Sequence, residues 1–178
     1  MDDKHKKIAK ELMNYMGCIL LAIGFAFAFH TYVFAKSYVV GPSMQPTFNN
    51  NDVIFLEKIS TETGHINRGE VIVFNSKDEN NDDYIKRVIG IAGDKIDIKD
   101  GKVYLNEKLL SENYLQQGTV TDPNSINTEY IIPEGYIFVM GDNRGNSTDS
   151  RILGPINLKD VKGHVIFRAY PFDKISTF

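Results

Sequence analysis

The sequence contains very little cysteine and no basic cluster beyond its N-terminus. The 178 residues include one cysteine, Cys18, so no disulfide can form within the chain. A single cysteine fits an exported domain as well as a cytosolic one and does not decide the compartment. The net charge is −3, and no basic block lies outside the first dozen residues. Because phosphate binding needs a clustered basic surface, we expect no nucleic-acid partner.

One long apolar run lies near the N-terminus, from Met16 to Ala35, and it contains no lysine, arginine, aspartate or glutamate. At 1.5 Å per residue its length matches the roughly 30 Å hydrocarbon core of a bilayer. Lysines precede it, and the positive-inside rule then places the N-terminus in the cytoplasm. We therefore predict a single-pass protein of the cell membrane with a cytoplasmic segment (1–15), a transmembrane anchor helix (16–35) and an extracytoplasmic domain (36–178).

Two other interpretations of this run stay open. A buried core helix is rarely so uniformly apolar. A cleaved signal peptide is the stronger alternative, because Val33-Phe34-Ala35 has small residues at the spacing of a cleavage site. The apolar stretch of a signal peptide is usually about 7–15 residues long, however, and this longer run favours a retained anchor.

Beyond Ala35 the pattern changes to short alternating apolar runs, which are typical of strands. The sequence 95–106 predicts a hairpin, since Asp100-Gly101 can adopt positive φ at both turn positions. Its strands would place Ile98 opposite Val103 and Ile96 opposite Leu105. Further strands are predicted at 53–56, 71–74, 85–91, 136–140 and 165–167. An exposed polar connection is predicted at 75–83, and another polar excursion at 116–128. With no long helix-period segment after the anchor, the fold class is mainly β, a compact all-β domain preceded by one transmembrane helix.

Ser43, in the stretch VVGPSMQPT, is a candidate nucleophile that needs a base. His5 and His30 fall in the predicted cytoplasmic and membrane segments. His65 lies in a surface-loop composition and His164 in a strand, so a Ser-His-Asp triad is weakly supported.

Lys86 is a better candidate base, because strict alternation in YIKRVIG puts it on one face with Tyr84 and Val88. A lysine on such a face either reaches solvent or sits in a dry site where it loses its proton more readily. The strand pattern alone leaves both alternatives open.

The polar stretch Gly141 to Arg151 is compatible with a turn that carries surface ion pairs. It also has some likeness to a calcium-binding loop. Its acidic spacing fails the EF-hand pattern, and Leu153 stands where the closing glutamate belongs. We expect no metal site and no cofactor.

Four stretches in this order resemble the bacterial type I signal peptidases, the membrane-anchored serine peptidases that remove signal peptides from exported proteins. They are Gly41–Thr47, Arg68–Phe74, Tyr84–Gly90 followed by Gly93-Asp94, and Gly141–Arg151. Three strings within them are each specific, namely Ser-Met-x-Pro-Thr from Ser43, Tyr-Ile-Lys-Arg-Val from Tyr84, and Gly-Asp-Asn-Arg-x-Asn-Ser-x-Asp-Ser-Arg from Gly141. The likeness runs from the anchor to Gly163-His164-Val165. The short chain with its single anchor is similar to the Gram-positive form, and the family's all-β catalytic core is the implied fold.

The resemblance implies a role for each matching residue. Ser43 would be the nucleophile, Lys86 in its neutral form the general base, and Ser147 the serine that hydrogen-bonds and orients the lysine. Asp149 and Arg151 would form the ion pair that fixes their loop, with Asp142 and Arg144 also structural.

The implied partners are preprotein signal peptides and the lipid bilayer. The substrate would lie extended along a strand edge. Small residues before the cut would enter shallow apolar pockets lined by Val39, Val40, Met44, Tyr84 and Ile85. One departure concerns the oxyanion hole: many Gram-negative relatives have a serine where this chain has Gly41, so the hole must use the Ser43 backbone N–H and another donor.

Two rival functions differ from this interpretation. A soluble, self-cleaving repressor-type Ser/Lys peptidase is disfavoured by the anchor and by the absence of a DNA-binding domain. A catalytically inactive, membrane-anchored β-domain that binds peptides is disfavoured because Ser43, Lys86 and Ser147 are all present.

Overall fold

The computed structural model describes residues 3–62, 64–124 and 129–178. The chain divides into two compact units, Met1–Phe34 and Ala35–Phe178. The first unit is the helix α1 (Asp3–Val33). Within the described residues, α1 is the one helix long and apolar enough to cross a membrane, with its apolar window at Lys10–Phe27. The large apolar side chains of this window are exposed, which argues against a core helix of a soluble fold.

The predicted anchor range and the helix have different bounds. The helix begins well before residue 16 and ends at Val33. Phe34 and Ala35 belong instead to the first strand. The last two residues of the apolar run therefore contribute to the sheet rather than to the helix.

The second unit consists mainly of strands with two four-residue helices, α2 (Ile59–Glu62) and α3 (Ser150–Leu153). Short 3₁₀ turns lie at Leu158–Asp160 and Phe172–Lys174. The strands are β1 (Phe34–Tyr38), β2 (Val53–Glu57), β3 (Val71–Asn75), β4 (Asp83–Ile91), β5 (Lys95–Lys99), β6 (Lys102–Leu105), β7 (Lys108–Leu109), β8 (Tyr130–Ile131), β9 (Tyr136–Met140), β10 (Ile156–Asn157), β11 (Val161–Tyr170) and β12 (Ser176–Thr177).

The strands form two sheets, and the all-β prediction is confirmed. The larger sheet has the order β1-β2-β11-β3-β4-β9-β10, with β12 paired to β11. The smaller sheet has the order β7-β6-β5-β8. The five strands predicted outside the hairpin are all present, although β11 is longer than the predicted 165–167. It is longer because it pairs with both β2 and β3 along its length.

The predicted hairpin is confirmed in its register. Ile96 pairs with Leu105 and Ile98 with Val103, and Asp100 and Gly101 have φ of 52° and 71°. Its buried side chains join those of Ile89, Ile132, Phe138 and Met140 in one apolar cluster, which closes the smaller sheet over the larger one.

The predicted polar excursion at 116–128 is exposed in only part of its length. Gln116 and Gln117 are exposed, but Thr121 is buried because its hydroxyl accepts a hydrogen bond from Arg144. Residues 125–128 of that prediction lie outside the described residues.

Candidate active site

Ser43 lies in a turn that is fixed on both sides by buried apolar residues. Val39, Met44 and Phe48 are at most 1% exposed and belong to one core cluster under the turn. Burying side chains of this size stabilises a fold by about 1.5–3 kcal/mol each. The chain is also held by hydrogen bonds of Val39, whose N–H donates to Asp52 and whose carbonyl accepts from Asn51. The half-buried Ser43 is therefore presented on a firmly held backbone.

Lys86 reaches this serine from the centre of the larger sheet. It lies on β4, where it pairs with Ile72 of β3, and it is 3% exposed. Its Nζ lies 2.9 Å from Ser43 Oγ, and it donates to the carbonyl of Ile85 at the same distance. The amine also stands 5.0 Å from the centre of the Tyr84 ring. Of the two alternatives for this lysine, the dry site is the one observed.

Burial lowers the pKa of Lys86 to about 8, although the negative charges of Asp149 and Asp142 work in the opposite direction. Desolvation prevails because it penalises only the protonated form of the amine. With a pKa of about 8, about one tenth of the side chain is neutral at pH 7. The amine next to Ser43 can therefore accept a proton near neutrality.

The loop from Gly141 to Arg151 contains a buried ion pair between Asp149 and Arg151, whose side chains are both 0% exposed. Arg151 donates to both carboxylate oxygens, at 2.9 and 2.8 Å, and the N–H of Gly141 donates to Asp149 at 2.9 Å. Burial alone would raise the pKa of Asp149, but its hydrogen bonds from Arg151 keep that pKa below its usual range. The carboxylate is therefore a fixed negative charge at the centre of this loop.

The predicted hydrogen bond between Ser147 and Lys86 is not observed. Ser147 Oγ donates instead to Asp149 Oδ2 at 2.7 Å, while the hydrogen bonds of the lysine amine within the described chain go to Ser43 and Ile85. The carboxylate is a stronger acceptor and lies only two residues away. Ser147 is thus linked to the lysine through Asp149, whose charge acts on the amine.

Gly141 and Asn143 bring this loop against the nucleophile. A Cβ atom on Gly141 would lie 2.3 Å from Ser147 Oγ and 2.5 Å from the carbonyl oxygen of Ser43, so only glycine fits here. The Asn143 N–H donates to the Ser43 carbonyl at 2.9 Å, and its side-chain amide donates to the Pro42 carbonyl at 3.2 Å. Asn143 could not be identified from the sequence, since nothing in a polar loop shows which residue meets a turn a hundred positions away.

Asp142 and Arg144 each have a separate partner. Asp142 accepts two hydrogen bonds from Arg87, at 2.9 and 2.7 Å, and one from Thr47 at 2.5 Å. Arg144 is fully buried and pairs with Glu112 and Thr121. The first network ties β4 to the turn that carries Ser43. The second ties Glu112 and Thr121 to the same loop.

A cavity of about 420 Å³ opens beside Ser43 and Lys86. Four of the five residues predicted to bind substrate line it, namely Val39, Val40, Tyr84 and Ile85. Met44 does not: it is 1% exposed and packs in the core beneath the turn. The chain reverses direction at Ser43, so the neighbouring side chain points inward. Lining residues that the sequence analysis missed are Ser37, Tyr38, Pro42, Ile54, Val73, Asp83, Asn146 and Thr148.

Gly41, next to this cavity, has φ of +88°, a conformation that favours glycine. Its N–H donates to the side chain of Asn50 at 3.0 Å. Within the described part of the chain, the Ser43 N–H has no acceptor. The backbone donor nearest the hydroxyl is therefore available to a developing negative charge.

The histidines of this domain lie elsewhere. His65 and His164 line a separate cavity of about 260 Å³. His164 is 6% exposed, and its Nδ1 lies 2.8 Å from Glu70 Oε2. Neither side chain lines the cavity beside Ser43.

Comparison with known proteins identifies the class to which this fold and this site belong. Residues 12–170 match the family model described as signal peptidase, peptidase S26. The chain therefore belongs to this family of proteases.

Two relatives agree with this assignment over nearly the whole chain. Signal peptidase I P of Bacillus subtilis subsp. natto is 35% identical, with 98% of each chain covered. Signal peptidase IB of Staphylococcus aureus strain Mu50 is 35% identical, with 93% of each chain covered. A solved signal peptidase I from Enterococcus faecalis V583 aligns with a TM-score of 0.47 and 31% identity, covering 56% of this chain and 96% of that one.

Proposed function

We propose that this protein is a membrane-anchored serine endopeptidase that removes N-terminal signal peptides from exported preproteins by cutting after small residues. The observation that carries the proposal is the 2.9 Å contact between Lys86 Nζ and Ser43 Oγ beside an open cavity. The names of the relatives support the substrate class, since they are signal peptidases.

In the proposed mechanism, the neutral amine of Lys86 takes the proton of Ser43 Oγ as that oxygen attacks the carbonyl carbon of the scissile bond. The Ser43 N–H donates to the oxyanion that develops. The lysine ammonium then gives its proton to the leaving amine, and the C–N bond breaks. Ser43 is left acylated by the signal peptide.

Deacylation uses the same base. Lys86 takes a proton from a water molecule that attacks the ester carbonyl, and then returns that proton to Ser43 Oγ as the ester bond breaks. The released signal peptide carries a new carboxyl group, and the serine and the neutral lysine are restored. Ser147 acts as a positioning residue through Asp149, because its hydrogen bond holds the carboxylate that faces the amine.

Specificity for small residues follows from the lining of the cavity. Val39, Ile54 and Ile85 are nearly buried, so their exposed surfaces form the floor of the cavity rather than a deep pocket. A large side chain before the scissile bond would have to displace this packed floor, at a cost of about 1–3 kcal/mol. An alanine-sized side chain fits without such a change.

The apolar part of α1 would be the membrane anchor, with the lysine-rich N-terminal segment in the cytoplasm and residues 36–178 on the other side. Its apolar window Lys10–Phe27 supports a span, and the lysines of the N-terminal segment support the orientation. The lipid bilayer would then be a permanent partner, and the substrate would arrive from the same membrane.

The test is cleavage of a preprotein in detergent by the full chain and by a Ser43→Ala variant. We expect turnover to fall by about 10⁴-fold or more, because the nucleophile is lost, with an unchanged circular dichroism spectrum. Ser111→Ala, which removes an exposed hydroxyl, is the matched control and should keep full activity. Substantial cleavage by Ser43→Ala would refute the proposal, and peptide binding without cleavage by the unmodified protein would support the inactive binding domain instead.

A further inference from the structure

A further cavity, with a volume of about 360 Å³, lies beside the turn that carries Ser43. We call it the amide cavity, after the side chains of Gln45, Gln116 and Asn143 that line it together with Thr119. It shares no lining residue with the cavity beside Lys86. Gln45 lies two residues after Ser43, and Asn143 is hydrogen-bonded to the Ser43 carbonyl. Ser43 lines the cavity beside Lys86, and residues next to Ser43 line the amide cavity.

The charged residues of the amide cavity are already neutralised. The side chain of Asp142 is 1% exposed and pairs with Arg87, and that of Arg144 is 0% exposed and pairs with Glu112. The remaining polar side chains are the amides of Gln45, Gln116 and Asn143. Asn143 already donates one N–H to the Pro42 carbonyl and Gln45 donates one to Asn49 Oδ1, and each keeps a second N–H and its carbonyl oxygen for a ligand. Amides donate and accept hydrogen bonds at once, which matches the alternating N–H and C=O groups of a peptide main chain.

The wall of the cavity is preformed. The Arg144 side chain joins Glu112 and Thr121 to the loop that carries Asn143, and so holds the segment from 112 to 121 against that loop. Within this segment, Thr119 donates both its N–H and its hydroxyl to the carbonyl of Gln116. A ligand would thus find the amides of this wall in place, which is typical of binding sites.

We infer that the amide cavity binds the polypeptide on the far side of the scissile bond, that is, the first residues of the mature protein. This inference rests on the proposed function. A substrate that crosses Ser43 has residues both before and after the bond. The cavity beside Lys86 is lined by the apolar residues that suit the signal peptide, whereas the amide cavity suits an extended polar segment. Because no unpaired charge faces it, the cavity recognises the main chain rather than side chains of one sign.

The experiment fills the cavity and compares two substrates. Gln116→Trp places a large ring on its wall, and Gln117→Trp is the matched control, because Gln117 is equally exposed, lies next in the same turn and does not line the amide cavity. Each full-length protein is assayed with two peptides that share the sequence before the cut and carry either one or six residues after it. The quantity measured is the ratio of kcat/KM for the long peptide to that for the short one.

We expect the unmodified protein and Gln117→Trp to favour the long peptide, and Gln116→Trp to lose about tenfold in this ratio, with kcat/KM for the short peptide unchanged. Equal ratios in all three proteins would overturn the inference, as would the same loss in Gln117→Trp. A loss on both peptides in Gln116→Trp would also overturn it, since the damage would then lie in the catalytic pair. If the unmodified protein cleaved neither peptide, the proposed function itself would fail.

Discussion

Two buried bases on strands of the same sheet differ in what they contact. Lys86 on β4 is 3% exposed and meets the hydroxyl of Ser43, while His164 on β11 is 6% exposed and meets the carboxylate of Glu70. The histidine has a partner that holds its ring, and the lysine has a partner that can react. A buried base is therefore not in itself a sign of catalysis. The chemistry depends on the group it faces and on the cavity beside that group.

The electrostatic surroundings of Lys86 also differ from those of His164, which lies against the carboxylate of Glu70. Lys86 has no carboxylate among its hydrogen-bond partners within the described chain; Asp149 and Asp142 act on it only as nearby charges, and burial prevails in lowering its pKa to about 8. A direct ion pair would stabilise the ammonium and keep it protonated. In the proposed mechanism, this separation from the carboxylates is what lets Lys86 serve as the base.

The largest expected effect comes from exchanging the base. Lys86→Arg should lower kcat/KM by about 10⁴-fold, because a guanidinium cannot give up its proton under these conditions. His164→Ala should leave kcat/KM within about threefold, although the loss of a buried hydrogen bond would lower the free energy of unfolding by about 1–3 kcal/mol. The kcat/KM values are measured by cleavage of one preprotein, and the free energies of unfolding by urea unfolding.

His65→Ala extends the same comparison and should also remain active. An active Lys86→Arg protein would remove the lysine from the mechanism. Loss of activity in either histidine variant, with its fold intact, would move the base to the cavity lined by His65 and His164.

Two tightly packed glycines provide a finer test of the same contrast. A Cβ on Gly141 would strike Ser147 Oγ and the Ser43 carbonyl, whereas a Cβ on Gly163 would lie 2.7 Å from the carbonyl of Glu57, near the histidine cavity. Gly141→Ala should lower kcat by about 10²-fold, since a shift of the nucleophile by about 1 Å is that costly. Gly163→Ala should lower the free energy of unfolding by about 1–3 kcal/mol and leave the activity of each folded molecule unchanged.

The pair of glycine variants is assayed for activity per folded molecule, with the folded fraction taken from circular dichroism. Equal loss of activity in both variants would mean that the two regions are coupled. Full activity in Gly141→Ala would show that the contact between the loop and the Ser43 turn is not needed.

The smallest effect is expected at Gly41. The resemblance predicts that a serine here, as in many Gram-negative relatives, would add an oxyanion donor. The φ of +88° makes that substitution strained, at about 1 kcal/mol or somewhat more, which corresponds to about fivefold in the population of the native turn. We expect Gly41→Ser to reduce kcat/KM by about fivefold, measured beside Gly41→Asn, which tolerates this backbone better. A rise in kcat/KM for the serine variant would restore the original idea.

Much of the fold could be predicted from the sequence because its signals are local. Alternation of apolar residues predicts β2, β3, β4 and β9, and Asp100-Gly101 predicts the hairpin in its observed register. The short strands of two residues could not be predicted, since their pairing depends on neighbours far away in the chain. The end of α1 was also missed, because Phe34 and Ala35 are as apolar as the residues before them.

At the site too, residues within sequence motifs could be predicted, whereas contacts that depend on the fold could not. The resemblance to a known family named Ser43 and Lys86, and the structure brings them within 2.9 Å of each other. The resemblance could not show that Ser147 donates its hydrogen bond to Asp149 rather than to the lysine, because that choice depends on the relative distances of the two acceptors. Met44 was misjudged as a pocket residue since sequence proximity to Ser43 does not reveal which way a turn points its side chains.

The most direct test of the account is the pH dependence of kcat/KM for one preprotein, which reports the ionisation of groups in the free protein. In the proposed mechanism the neutral amine is the active form, so activity should rise with pH. Below the pKa of Lys86, about 8, it should fall about tenfold for each pH unit, and above it the curve should level off. An inflection near 6.5, the ordinary pKa of histidine, or a curve that still rises at pH 10 would contradict the claim that burial makes Lys86 the base for Ser43.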